Sequence, residues 1–160
     1  MTRLDAIDLK ILATLQRTGR ITKLKLAEAV NLSPTPCWDR LHRLEQAGVI
    51  AGYTARISLA HLAPATTVLV EVTLKSHRLA DFRRFEAAIC DEPAIIACDA
   101  TGGGIDYFMH VVTRGIDAYQ QLIDRLLAAD IGIDRYFSYV VTKPVKEAAP
   151  LPLAQLLTSG

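Results

Sequence analysis

Apolar residues near the start of the chain recur at helical spacing. Ile7, Ile11 and Leu15, supported by Leu4 and Leu12, share one face of a helix opened by Asp5 as N-cap. Asp8, three residues on, can return a bond to the cap backbone as in a capping box, and Gly19 ends the run. Thr22 caps a shorter helix with Leu24, Leu26, Ala27 and Val30 on its apolar side and Lys23 and Lys25 on its solvated side. Asn31 and Leu32 lead to Ser33, an N-cap whose hydroxyl is expected to accept from an orphan backbone N–H. Pro34 at N1 and Pro36 in the first turn are tolerated there. In the third helix Cys37, Leu41 and Leu44 fall at i, i+4 and i+7, while Arg40, His42, Arg43 and Gln46 point elsewhere. Gly48 stops it as the C′ residue. The last two helices, joined by so short a turn and backed by the first, predict a helix-turn-helix unit over residues 1–52 that binds DNA. A helical hairpin for protein interaction is the alternative.

The period changes after Val49. "VIAGYTARISL" mixes β-branched and aromatic residues around Gly52 and predicts a linker, 53–63, that contains a strand. Strands are expected at Thr66–Leu74, Ala94–Thr101, Ile105–Thr113 and Ile133–Lys143. Helices are expected at Leu79–Ile89, with Leu79, Phe82, Phe85 and Ile89 on one face, and at Ile116–Ala129, with Tyr119, Leu122, Leu126 and Ala129 aligned. Gly102-Gly103-Gly104 marks a tight hairpin. The order β-α-β-β-α-β predicts a ferredoxin-like domain over 64–146, one antiparallel sheet with two helices on one face. The other sheet face needs a cover, which points to a dimer through the sheets. The fold class is α+β, an N-terminal helix-turn-helix of winged-helix type followed by this ferredoxin-like domain. Residues 147–160 form a C-terminal tail whose leucines are read as frayed or docked on a neighbouring subunit.

Composition narrows the function. With 51% hydrophobic residues in 160, packed cores are affordable, and no run approaches the length of a membrane span. The charged start "MTRLDAIDLK" is unlike a signal peptide, so a cytoplasmic protein is expected. Three cysteines without a C-x-x-C pair suit a reducing compartment and read as small core residues. Residues 1–52 carry eight Lys/Arg against five Asp/Glu and residues 53–160 ten against twelve, so a polyanion contact belongs to the N-terminal third.

The stretch "LDAIDLKILATLQRTGRIT", then Leu26-Ala27, Leu32-Ser33, Arg40, Leu44 and "GVIAGY", followed by β-α-β-β-α-β, resembles the Lrp/AsnC (feast/famine) family of transcriptional regulators over about residues 4–146. The resemblance implies a sequence-specific DNA-binding dimer that assembles further, as in an octameric ring of four dimers. It also implies a small-molecule site where sensing domains meet. "SPTPCW", "TGGGIDY" and "YVVTKP" look like a branch associated with regulators of ectoine breakdown. The family's usual first hairpin acid is replaced here by glycine, while Asp106 is kept.

Candidate DNA contacts are Thr35, Trp38, Arg40, His42 and Arg43 on the third helix, with Arg able to pair bidentately with guanine or to clamp phosphate. Trp38 lies at the edge of the buried stripe and divides between core and DNA. Arg20, Lys23 and Lys25, with Arg3 and Lys10, suit phosphates. The triple glycine lacks the Lys-Ser/Thr of a phosphate loop. Under the family resemblance, Thr101, Gly102, Gly103, Gly104 and Asp106, with Ser138 on the last strand, would hold a small amino acid or amino-acid-like effector through backbone N–H groups and a carboxylate. No catalytic constellation is present, so no enzyme, cofactor or metal is expected. A metal-responsive regulator and a ferredoxin-like metabolite-binding protein without DNA binding are the rival readings.

Overall fold

The computed structural model describes residues 3–61, 63–146 and 148–157. Glu147 and residues 158–160 of the expected tail, and Leu62 of the linker, lie outside the described residues. The chain forms two compact units. One is helical and combines the residues up to Ile57 with the chain from Lys146 onward; the other runs from Ser58 to Val145.

The helical unit contains α1 (Ala6–Arg17), α2 (Lys23–Val30) and α3 (Pro34–Gln46). Asp5 accepts from the N–H groups of Ile7 and Asp8, each at 2.9 Å, and the Asp8 carboxylate accepts from the Asp5 N–H at 3.0 Å, which completes the capping box. Thr22 caps α2 by accepting from the Lys25 N–H. The turn into α3 passes through Asn31 at φ 58, ψ 49, a left-handed conformation that asparagine tolerates. Ser33 has N-cap dihedrals, but its hydroxyl makes no cap bond. Pro36 occupies N3 and Pro34 N1, so two of the first three amides have no hydrogen to offer and the usual cap donor at N3 is missing. Gly48 closes α3 at φ 68. Ile11, Leu26, Ala27, Val30, Cys37, Leu41 and Leu44 form the unit's core.

No strand forms at Val49–Leu59; Leu59–His61 is one 3₁₀ turn. A strand needs a neighbour for its backbone groups, and among the described residues none lies beside this segment. Ile50 instead packs on the helical core, and the Tyr53 hydroxyl donates to Glu45 at 2.8 Å.

The second unit contains β1 (Thr66–Leu74), α4 (Leu79–Cys90), β2 (Ile95–Ala100), β3 (Tyr107–Thr113), α5 (Ile116–Ala128) and β4 (Ile133–Val140). The sheet is antiparallel in the order β2-β3-β1-β4. Val68, Val70, Val72 and Leu74 alternate into the core with Tyr107, Met109 and Val111, against Phe85 and Ile89 of α4 and Tyr119, Leu122, Ile123 and Leu126 of α5. This is the ferredoxin-like arrangement. Leu79, expected on the buried face of α4, is exposed at its first turn. Of the three cysteines only Cys37 is a core residue; Cys98 is half-buried and Cys90 is exposed. Burial pushes the Cys98 thiol up to about 11.

The tail is not frayed in its described part, nor does it need a neighbour to dock on. Leu153–Leu157 forms a short helix, α6, and Leu153 packs on the core of the helical unit of the same chain.

Candidate nucleic-acid interface and effector loop

Helix α3 buries Cys37, Leu41 and Leu44, which leaves Thr35, Trp38, Asp39, His42 and Gln46 on its exposed side. Three of these form a connected row. The Trp38 and His42 rings stack at 6.3 Å with 10° between planes, and the Gln46 amide meets His42 Nε2 at 3.0 Å. Lys23, from the start of α2, holds its Nζ 3.2 Å from the centroid of the Trp38 ring. Trp38 is thus 38% exposed, seated under a cation from the neighbouring helix, not half-sunk in the core. Lys25, Arg20, Arg3 and Lys10 are exposed on the same unit.

Arg40 and Arg43 take a different position. Asp8 sits on the apolar stripe of α1 and its side chain is only 1% exposed, so its charge needs partners. Arg40 Nη1 donates to Asp8 Oδ1 at 2.9 Å and to Asp5 Oδ2 at 2.5 Å, and Arg43 Nη2 donates to Asp8 Oδ2 at 2.6 Å. The bond from the Asp8 backbone, the Arg40 guanidinium and the Ile7 N–H hold the Asp5 carboxyl down at about 2 despite partial desolvation, and the two carboxylates raise Arg40 further. Arg40 is therefore committed to bracing α3 against α1. Arg43, half-exposed, braces from the same side and keeps part of its donor set toward solvent. Sequence reading placed Asp8 in the capping box but missed this network. A carboxylate within an apolar stripe, followed by two arginines on a nearby helix, is the signal that was available.

The glycine hairpin leaves β2 and returns into β3. The Thr101 N–H donates to the Asp106 carbonyl at 2.8 Å and the Thr101 hydroxyl to the Ile105 carbonyl at 2.7 Å, which pins the base of the loop. Gly102, Gly103 and Gly104 are exposed, and among the described residues no group accepts from their N–H groups. Gly103 needs to be glycine for its φ of 146. At Gly102 and Gly104 neither a positive φ nor any neighbour within 4 Å demands one. The Asp106 side chain turns away from the loop tip: Oδ2 accepts from the Leu74 N–H at 2.7 Å, and both oxygens lie 3.0–3.1 Å from His77 Nε2. His77 in turn stacks on Phe82 at 5.9 Å. Ser138 is not brought to this loop within one chain. It lies on the opposite edge strand, faces the helices opposite Val70, and its hydroxyl bonds the Tyr119 hydroxyl.

The sheet face away from α4 and α5 carries Leu69, Glu71, Phe108, His110, Phe137 and Tyr139. Phe137 and Tyr139 are about half-exposed, and the Tyr139 hydroxyl donates to Glu71 at 3.3 Å. Among the described residues no three His, Cys, Asp or Glu side chains gather as a metal-binding set, and no helix is long and apolar enough to cross a membrane.

Comparison with known proteins matches these two units to two families. A winged helix-turn-helix DNA-binding family covers residues 4–51, and the Lrp/AsnC ligand binding domain family covers residues 67–151. The chain is 52% identical to the transcriptional regulatory protein DoeX of Halomonas elongata over 157 residues, 98% of this chain and 99% of that protein. It is 37% identical to the leucine-responsive regulatory protein of Salmonella typhimurium over 145 residues, 91% and 88% of the two chains. Among solved structures, the regulator NMB0573 of Neisseria meningitidis in its L-Met complex superposes with a TM-score of 0.90 at 32% identity, covering 97% of this chain and all of that one. An AsnC family regulator of Agrobacterium tumefaciens gives 0.89 at 31% identity, covering 96% and all of it. With the helix-turn-helix unit, the β-α-β-β-α-β unit and these likenesses spanning nearly the whole chain, this protein belongs to the Lrp/AsnC family of transcriptional regulators.

Proposed function

We propose that the protein is a homo-oligomeric regulator that reads operator DNA with α3 and changes its assembly or DNA affinity on binding a small amino acid or amino-acid-derived metabolite. The observation that carries the DNA reading is the exposed row Trp38–His42–Gln46, with Thr35 beside it and Lys23 and Lys25 on the adjoining helix. These groups offer a donor-acceptor surface for base edges flanked by cations for phosphate, with Arg20 as a further cation on the unit. Arg40 sets the angle of that surface, and Arg43 divides between bracing and phosphate.

Effector binding is assigned to Thr101, Gly102, Gly103, Gly104 and Asp106, where sensing units of neighbouring protomers meet. Two glycines that neither the conformation nor the packing of their own chain requires are explained by something that approaches the loop closely from outside. Their N–H groups suit a carboxylate, and Asp106, already shared by His77 and Leu74, contributes less anionic character than a free acid. The likeness to DoeX and to a regulator solved with L-Met supports an effector of amino-acid type, with a link to ectoine breakdown as the specific version. Ser138 joins this site only if supplied by another protomer. Dimerisation through the open sheet face and further assembly, as in an octamer, complete the reading.

The test is quantitative footprinting of His42→Ala and Arg43→Ala on the operator. Loss of a base contact at His42 is expected to cost about 1–3 kcal/mol at one operator position; a phosphate role for Arg43 is expected to weaken all sequences alike and lower the salt slope by about one. Unchanged affinity in both, with folding intact, removes α3 as the reader. For the effector, calorimetry with amino acids and their acetylated or cyclic derivatives on Gly104→Val is expected to show lost binding; retained binding moves the site elsewhere.

A further inference from the structure

The helical unit carries an apolar groove lined largely by residues within the winged-helix match, which ends at residue 51, and a segment from the far end of the same chain sits in it. The segment begins with Pro150-Leu151-Pro152, within which Leu151 holds the only backbone N–H. Gln16, on the last turn of α1, takes both polar groups of that residue. Its Oε1 accepts from the Leu151 N–H at 2.6 Å and its Nε2 donates to the Leu151 carbonyl at 3.4 Å. A side-chain amide thus does what a neighbouring strand would do for an extended residue. Beyond the clasp, Pro152 starts the turn of α6, and Leu153 goes down onto the core formed by α1, α2 and α3.

The seat is apolar and only partly filled. Leu4, Leu12, Leu15, Val49 and Ile50 face Leu153 and Leu157 around a cavity of about 420 Å³. Leu151 and Leu156 stay largely exposed, Leu157 is about half-exposed, and a five-residue helix has little stability of its own. The Gln16 clasp and the partly buried Leu153 are the main anchors described for the segment, and so short an attachment places its release toward the low-energy end of local opening. None of the residues around this groove belongs to α3, so the row Trp38–His42–Gln46 stays uncovered when the segment is seated.

We propose that residues 151–157 are a releasable latch, seated in cis on the groove between α1 and the segment 49–53. When closed, the latch gives the chain a second crossing between its two units, at 145/146 in addition to 57/58. The seat is intramolecular, so its occupancy is set by the tether and not by protein concentration.

Hydrogen exchange on the full chain, on a chain ended after Ala149, and on Gln16→Ala and Leu153→Asp reads the latch directly. Faster exchange is expected in the C-terminal half of α1 and in residues 49–53 of all three variants, with β1–β4 unchanged as the internal control for folding. Equal exchange in α1 with and without the tail overturns the latch. The cis seat is read by joining Lys10→Cys to Gln155→Cys, two positions on one groove, with a short bismaleimide in a Cys90→Ser background. A bridge within one chain is expected on a denaturing gel. A bridge between two chains, or none, overturns docking in cis.

Discussion

Asp8 concentrates the electrostatics of the helical unit in one nearly inaccessible carboxylate that receives two guanidiniums and a backbone amide. Removing it by Asp8→Ala leaves Arg40 and Arg43 without their common anchor. The expected cost is roughly 2 kcal/mol, below that of a fully buried pair because both guanidiniums keep contact with water. Urea unfolding of the isolated transition of the helical unit measures it. Asp5 adds a pH signature. Its carboxyl lies at about 2 in the folded chain against about 4 when unfolded. A depressed value means stability that is complete above about pH 4 and is lost as pH falls toward 2. Asp5→Asn is expected to flatten that part of the stability profile, and a profile identical to the parent removes the role. The capping residues were legible from their spacing of three. The arginine braces were not, because 32 residues separate Arg40 from Asp8 and nothing local announces which face of α3 turns toward α1.

Elements were legible wherever a period of 3.6 or 2 ran unbroken. All three helices of the first unit and both helices and four strands of the second lie where their patterns place them. The pattern misled at Val49–Leu59, since Ile50 there packs on the helical core and Tyr53 bonds Glu45 instead of pairing, while Ile57 stays exposed. It misled again at Ser33, where a residue suited to capping faces an amide that Pro36 does not have. Glycines divide by the same logic. Gly48→Ala, at φ 68, is expected to destabilise by about 1 kcal/mol. Gly102→Ala, in open space without a positive φ, is expected to leave the melting temperature unchanged while altering effector binding. Thermal melts of the two variants side by side distinguish a glycine kept for its backbone from one kept for what approaches it.

At the scale of the molecule, the proposed assembly turns on the open sheet face. Phe137 and Tyr139 are exposed beside Leu69 and Phe108 on a surface that no helix covers among the described residues. Phe137→Arg is expected to shift the protein toward monomer in light scattering without loss of helix or sheet signal; an unchanged mass places the interface elsewhere. The candidate effector loop was legible as a glycine hairpin, whereas the arrangement of its side chains was not: Asp106 points back toward β1 and His77, and Ser138 lies two strands away. Strand order and register are long-range properties, and the distance between two residues on one sheet follows from them. The return of the chain to α1 after β4 bears on protein engineering. A chimera made at a single splice point, the DNA reader of one regulator fused to everything downstream in another, exchanges the native C-terminal segment along with the sensor and pairs Gln16 with a foreign sequence. The transplantable cassette is residues 58–145, grafted at both junctions, with the host's own C-terminus restored behind it.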